Sequence, residues 1–466
     1  MSSLSFLPVE LVLEIAAYLQ PDDHAALRAT CASLASAIDP ILFETLILPT
    51  NRLNADMLAA IARENSPWST HTRTLLLAPG RSATTLEKEP ADDADGGASP
   101  GKVQEQLLGD ALARLVNVSA VRYKIRQEIP KWLVGGVFRP LTYLPLHELE
   151  IKLESIPLYP ESVLFPSSVL FPSSGAHLRI LKVEIRNWMR PLMSTPAGRA
   201  VPSLARQIAA IIEQSPILEE LYLSCIGEDC AAVWTALRQS PIRLRVLSTN
   251  QLGDCMLDYL GSYSGLERLR IAGLDAETSL REANDAYASI FFKTVLPKHA
   301  ETLRELRCAP TDESMWCFGE HNERALQRLP ELRVLEMSVR SSELQGKCEE
   351  TPIPRLLLLA TALPSLTNLK ITYPATRLGR LRYEYASPGT LPSVERVVRA
   401  YLSSSSLADR IREDTTDYYG RAPPVWDYEV AQGPKWLRPP EMSDRAAALR
   451  SFRRLYWAGR VVRAGE

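Results

Sequence analysis

Along residues 146–399 the apolar positions fall in one repeated order, Leu-x-x-Leu-x-φ, where φ is apolar. Copies begin at Leu146, Leu178, Leu218, Leu244, Leu266, Leu303, Leu332, Leu366 and Val394, with central apolar residues 22 to 40 positions apart. The copies at Leu244 and Val394 lack the final apolar residue. The alternation at the end of each copy predicts a short strand with one face toward a core. Between copies the apolar period changes to that of a helix, over 203–214, 228–239, 254–263 and 353–363. Ser215-Pro216, Ser240-Pro241, Gly265 and Pro364 punctuate those segments. Proline stops a helix and favours extended backbone before it. Helix and strand alternating with fixed polarity predict an α/β solenoid, a parallel sheet with outer helices. Segments 54–64, 74–77, 103–115 and 119–125 extend the same alternation toward the amino terminus.

The first 48 residues have a different pattern. Leu7-Pro8 opens a helix with Pro8 placed at its first position, where a missing N–H costs nothing. Leu11, Ile15 and Leu19 recur at helical spacing, with Val12 and Ala16 beside them. Pro21 stops this helix, and Asp22 and Asp23 favour the start of a second. Leu27, Cys31 and Leu34 continue the apolar spacing, and Ile38, Ile41, Leu42 and Phe43 lead into a strand-like Thr45–Leu48. Three helices in about 40 residues bury too little to stand alone, so such a module completes its core against something else.

Leu7, Pro8, Glu10, Leu11, Ile15, Leu19, Asp23, Leu27 and Cys31 stand where the F-box family has its characteristic residues. Residues 5–45 therefore resemble an F-box. His24 departs from the family's usual Leu, and Leu34 stands where many members carry Trp. The resemblance implies binding to a Skp1-type adaptor, and through it to a cullin ubiquitin ligase. It implies that Leu7, Pro8, Leu11, Ile15, Leu19, Leu27 and Leu34 form the adaptor-binding set. A helix in a groove uses such spaced apolar anchors. The plainer alternative is a helical cap packed only on its own chain.

The region behind it resembles the leucine-rich repeats that often follow an F-box, and the whole is similar to irregular fungal F-box proteins. The regular Asn or Cys of such repeats is missing; Ile226, Leu274 and Thr311 stand at that position. An irregular arc is expected. In such an arc Lys182, Tyr222, Ser248, Arg270, Arg307, Glu336 and Lys370 face outward from the sheet. Glu220, Arg268, Glu305 and Asn368 flank them. Arg268, Arg270, Arg307 and Lys370, with Tyr222, form a candidate surface for an acidic or phosphorylated client segment, since Arg suits bidentate anion contact. Pairing of these cations with Glu on adjacent strands is the competing expectation.

Composition narrows the chemistry. Lys and Arg total 53 against 55 Asp and Glu, a net charge of −2, which argues against a strongly basic nucleic-acid binder. Seven cysteines without a C-x-x-C pair do not make a disulfide framework, so a reducing compartment is expected, cytoplasmic and/or nuclear. The amino terminus lacks the pattern of a secretory signal, and no apolar run is long enough to span a bilayer. No phosphate-binding loop, dinucleotide fingerprint or metal-type Cys/His spacing occurs, and the six histidines are scattered. Gly261-Ser-Tyr-Ser-Gly265 is not a nucleophile elbow, because Ser is second and fourth. No catalytic residue, metal or cofactor is nominated.

Three segments are expected at 1–48 (F-box module), 49–400 (solenoid) and 401–466 (tail and capping helix). Residues 79–102 are polar and rich in Gly and Pro, which predicts a disordered insert. Residues 163–174 repeat VLFPSS twice. Trp188, Met189 and Met193, and Trp316 and Phe318, are loop residues expected to pack on their own scaffold. Residues 443–463, with Ser443 as N-cap, are predicted to form the closing helix. The function expected is a non-catalytic client receptor of a ubiquitin ligase, holding an unidentified protein client near the transfer enzyme. The alternative is a scaffold that binds an adaptor without directing ubiquitination.

Overall fold

A computed structural model describes residues 7–50, 53–64, 66–78, 100–125, 133, 137, 140–141, 143–153, 177–185, 204–225, 230–272, 281–310, 313–340, 342–343, 351–372 and 427–430. The copy at Val394, the expected closing helix, the VLFPSS duplication and the Trp188 loop lie outside the described residues, as do 79–99 of the expected insert. The chain divides into two units, Met1–Leu244 and Arg245–Glu466.

The first unit begins with three helices, α1 (Val9–Ala16), α2 (Pro21–Arg28) and α3 (Ala32–Leu42). Pro8 caps α1 instead of forming its first turn: its carbonyl accepts from the N–H groups of Leu11 (3.1 Å) and Val12 (3.2 Å). Pro21 takes the first position of α2, where Asp23 Oδ2 accepts from the Gln20 N–H at 3.2 Å. His24, the departure from the F-box pattern, reaches back to the Ala16 carbonyl at 2.7 Å and so joins α2 to the end of α1. Arg28 pairs with Asp39 of α3 and lies 5.1 Å from the Phe43 ring centre, and Phe43 meets Trp68 edge-on at 4.6 Å. Val12, Ala16, Leu34, Ala37 and Ile38 close a small core, with Leu7, Leu27, Cys31, Ile41 and Leu42 packed at its margin. A fully buried large aliphatic side chain contributes roughly 1.5–3 kcal/mol, so three such residues and two alanines make only a modest core.

Six parallel strands follow in chain order: β1 (Thr45–Pro49), β2 (Thr74–Ala78), β3 (Ala120–Ile125), β4 (Glu148–Leu153), β5 (Ile180–Ile185) and β6 (Glu220–Cys225). Helices α4 (Ala55–Ala62), α5 (Pro67–His71), α6 (Pro100–Ala113), α7 (Leu204–Glu213) and α8 (Ala231–Gln239) supply crossovers. Asn54 fixes the start of α4, its side chain accepting from the Met57 N–H at 2.7 Å. Helix α6 begins at Pro100, so the last three residues of the expected insert are helical. Proline is favoured at a helix start, which the polar composition of 79–102 concealed.

The second unit repeats the plan with β7 (Val246–Thr249), β8 (Arg268–Ala272), β9 (Glu305–Ala309), β10 (Val334–Ser338), β11 (Asn368–Thr372) and β12 (Asp427–Val430), with β8 to β12 each pairing parallel to the strand before it. Crossovers run through α9 (Asp254–Gly261), α10 (Arg281–Ile290), α11 (Glu320–Leu326) and α12 (Pro352–Ala362). A wider turn, Phe291–Val295, and a tight one, Leu296–His299, continue α10. Gly265, at φ 112°, turns the chain between α9 and β8, a conformation that strains any side chain.

The strands realise the repeated pattern in register. Each described copy starts two residues before its strand. The central leucines are direct neighbours, Leu149–Leu181–Leu221 in one unit and Leu247–Leu269–Leu306–Leu335–Leu369 in the other. All are buried. At the start of each strand a single carbonyl accepts two N–H groups from the next repeat. Glu44, Arg73, Ser119, His147 and Arg179 do this in the first unit, and Arg245, Glu267, Arg304 and Arg333 in the second, at 2.7–3.1 Å. These main-chain bonds use both lone pairs of the carbonyl and hold neighbouring repeats together where the Asn or Cys ladder is missing.

Candidate functional site

Helix α1 is apolar nearly all round, VELVLEIA. It turns only Val12 and Ala16 inward. Val9 (55%), Leu11 (45%), Leu13 (36%) and Ile15 (41%) stay exposed, and Tyr18, just after the helix, is 83% exposed. Only Glu10 and Glu14 give α1 a polar side, so its apolar surface is wider than the single stripe that packs on a core. Of the anchors nominated from the sequence, Leu11, Ile15 and Pro8 lie on the surface, and Leu7, Leu19 and Leu27 are half-buried. Leu34 lies inside the helical core, its α3 position placing it against Val12 and Ala16. Val9 and Leu13 are exposed on the other flank of α1, across the buried Val12–Ala16 face from Leu11 and Ile15, and Tyr18 is exposed just after the helix. The signal for them was the number of apolar residues in α1, more than one buried face can take.

The outward face of the first unit's strands carries alternating charge. Arg122 lies 3.8 Å from Glu148 and 3.5 Å from Glu150. Lys152 bridges Glu150 (2.8 Å) and Glu184 (3.4 Å), and Lys182 meets Glu148 at 2.8 Å. The hydrogen bond to Glu150 and the nearby carboxylates hold the Lys152 ammonium above its ordinary pKa, against the opposing effect of partial burial. Lys182 Nζ also lies 5.4 Å from the Tyr222 ring centre, and the Tyr222 hydroxyl donates to Glu220 at 2.9 Å. Tyr222, nominated for client contact, is thus held by neighbours of its own sheet.

The strands of the second unit divide the nominated cations. Arg307 pairs with Glu305 on its own strand and lies 3.6 Å from Glu336 of β10. Lys370 of β11 meets the other oxygen of Glu336, also at 3.6 Å. Glu336 is 7% exposed, so two cations flank one nearly buried carboxylate. Arg268 and Arg270 of β8 are exposed. Arg270 faces Ser248 on one side and Arg307 on the other in the strand register.

The buried polar groups serve the fold. His299, 1% exposed, accepts from the Leu266 N–H at 3.3 Å through Nδ1, and its Nε2 donates to the Leu260 carbonyl at 3.1 Å. Burial pushes its pKa down to about 4, so the ring is neutral at pH 7. Cys308 and Cys317 are free and buried. Desolvation pushes both thiols up, Cys317 to about 12, the opposite of what a nucleophile needs. Trp316 and Phe318 pack inward: Trp316 lies 5.3 Å from Phe291 and 5.8 Å from Phe292, and its indole N–H donates to the Asn284 carbonyl at 3.1 Å. Among the described residues no group of three or more metal-capable side chains gathers, and no helix is long and apolar enough to cross a membrane.

No family model matches the chain, and no curated protein matches it. Among solved structures, the crystal structure of the yeast Rad7 and Elc1 complex aligns with 86% of this chain and 100% of that chain, at 14% identity and a TM-score of 0.33. So low a score carries nothing from that complex to this chain.

Proposed function

We propose that the chain is a client receptor of a cullin-type ubiquitin ligase, docking a Skp1-type adaptor through α1 and presenting a protein client on its repeat sheets. The observation that carries this reading is the α1 stripe, in which Leu11 and Ile15 stand exposed beside a core already closed by Val12 and Ala16. Those two residues also occupy apolar positions of the F-box-like pattern. A groove on an adaptor would cover the apolar face that the helical core leaves in water. The repeats contribute proximity: a client held beside a transfer enzyme reacts as if at high local concentration. The chain itself performs no bond chemistry in this role.

Co-purification with a Skp1-type adaptor tests the reading. The wild-type chain should form a stoichiometric complex. A Leu11→Asp, Ile15→Asp variant with unchanged circular dichroism should lose it. A wild-type chain that never binds the adaptor would remove the ligase role and leave α1 as a surface for another partner. An adaptor complex that supports no ubiquitin transfer to any bound client would favour the scaffold alternative.

A further inference from the structure

Strand β1 is the first strand of its unit and pairs only with β2. The Glu44 carbonyl accepts from the N–H groups of Arg73 and Thr74, and the Thr50 N–H donates to the Ala78 carbonyl at 3.0 Å. Main-chain groups along a strand alternate in direction, so residues 44, 46, 48 and 50 face β2, and Thr45, Ile47 and Pro49 face away from it. The N–H groups of Thr45 and Ile47 make no hydrogen bond among the described residues. Both positions are open to water: Thr45 is exposed and Ile47 is 58% exposed.

The side chains at this edge carry no charge. Leu46 and Leu48 are buried, while Ile47 lies next to Leu76 of β2 in the register and Pro49 next to Ala78. Farther along the same row the register brings Arg122, Glu150 and Lys182. Proteins guard an open edge with charge, a bulge or a covering segment, because its unpaired N–H and C=O groups accept another strand. Of these devices β1 shows only Pro49 among the described residues, which removes one donor at its end.

The edge is complementary to itself. When two copies are turned antiparallel about Ile47, each Ile47 N–H donates to the Ile47 carbonyl of the other copy. Each Thr45 N–H then donates to the Pro49 carbonyl of the other copy. Every outward N–H is satisfied, and only the Thr45 carbonyls, opposite the donor that proline lacks, are left to water. The two Ile47 side chains come together beside Leu76 and leave water. Glu44 falls opposite Thr50, so no like charges meet.

We propose that β1 is a homodimer edge, at which two copies of this chain join antiparallel through Thr45–Pro49 about a two-fold axis at Ile47. The contact goes beyond the receptor reading and does not use α1. Strands of five residues bury less than the about 1,000 Å² of a long-lived complex, so the dimer is weak and depends on concentration.

Sedimentation equilibrium of the full chain from about 5 µM to about 200 µM should move the average mass from near 51.9 kDa toward twice that value. Ile47→Lys sets like charges against each other at the axis and should keep the monomer mass throughout. Position 47 is exposed, so the circular dichroism of this variant should match the wild type. Leu11→Asp with Ile15→Asp should dimerise as wild type, which separates this contact from self-association through α1. Under oxidation with copper phenanthroline and dissolved oxygen, Ile47→Cys should give a dithiothreitol-sensitive dimer. Hydrogen-bonded antiparallel neighbours stand about 5.5 Å apart at Cα, within disulfide reach. Thr45→Cys, about 14 Å from its own copy in this register, should not exceed the wild-type background. A chain that stays monomeric at the highest concentration would overturn the proposal and leave the edge to a strand of another protein. So would an Ile47→Lys variant that still dimerises, a dimer lost only with the α1 substitutions, or equal crosslinking at positions 45 and 47.

Discussion

At the scale of single residues, His299 gives the most direct test of the buried polar network. It joins the end of α9 to the start of the next repeat, and only the neutral ring can both accept from Leu266 and donate to Leu260. Its folded pKa is lowered to about 4, from an ordinary 6.5. The unfolded chain therefore binds a proton first as pH falls. Stability from this group is complete above the unfolded value and is lost between about pH 6.5 and 4, on the order of 3 kcal/mol across the window. Urea denaturation of the wild type at pH 7.5, 6, 5 and 4.5 should show that decline. His299→Gln should be less stable at pH 7.5 but flatter across the series. Parallel curves for the two proteins would assign the acid sensitivity elsewhere. Nothing in the pattern around His299 marked it, because a lone histidine after Lys298 looks like a surface residue. Its burial comes from Tyr263, whose ring lies 5.2 Å away, and from a turn 33 residues earlier in the chain.

Among the elements, the strands were the most legible part of the molecule and α1 the most informative misfit. Each described Leu-x-x-Leu-x-φ copy became a strand because alternation fixes one face, and neighbouring copies had to align their central leucines to share a core. The LRVLST copy gave the shortest of those strands, β7, four residues ending at Thr249. The pattern could not show that Glu336 and Ser338, on the outward side of β10, would be buried at 7% and 1%. That burial depends on long-range neighbours: Phe318 bonds the Ser338 carbonyl, and Thr372 bonds the Ser338 hydroxyl. In α1 the sequence placed Leu11 and Ile15 beside Val12 and Ala16 without dividing them. The division predicts opposite effects. Val12→Asp introduces a charge into the helical core and should cost about 3 kcal/mol or more, or unfold the helices outright. Leu11→Asp and Ile15→Asp, already in water, should stay within about 0.5 kcal/mol of wild type. Thermal melts of the three variants read this directly. A Leu11 variant as damaged as the Val12 variant would mean that the chain itself covers the stripe.

At the scale of the whole chain, each unit adds successive parallel strands to the previous one, and the described helices after β1 occupy the connections between strands. The sequence carried this order because every copy points the same way along the chain. It could not carry the charge balance of the two faces, which depends on which outward residues become cross-strand neighbours. A sheet assembled this way is held by nearest-neighbour interfaces, so damage should stay local. Leu335 offers the test. It is fully buried and pairs with Leu306 on one side and Leu369 on the other. Leu335→Ala removes buried methyl groups from that ladder and should cost about 2–5 kcal/mol. Hydrogen exchange of the variant should speed up first in β9, β10, β11 and the crossover helices α11 and α12. The amides of β2 to β5 in the first unit should keep their wild-type protection. Exchange in those strands rising in step with β10 would show that the chain opens as one cooperative body rather than repeat by repeat, because all amides then share one global opening.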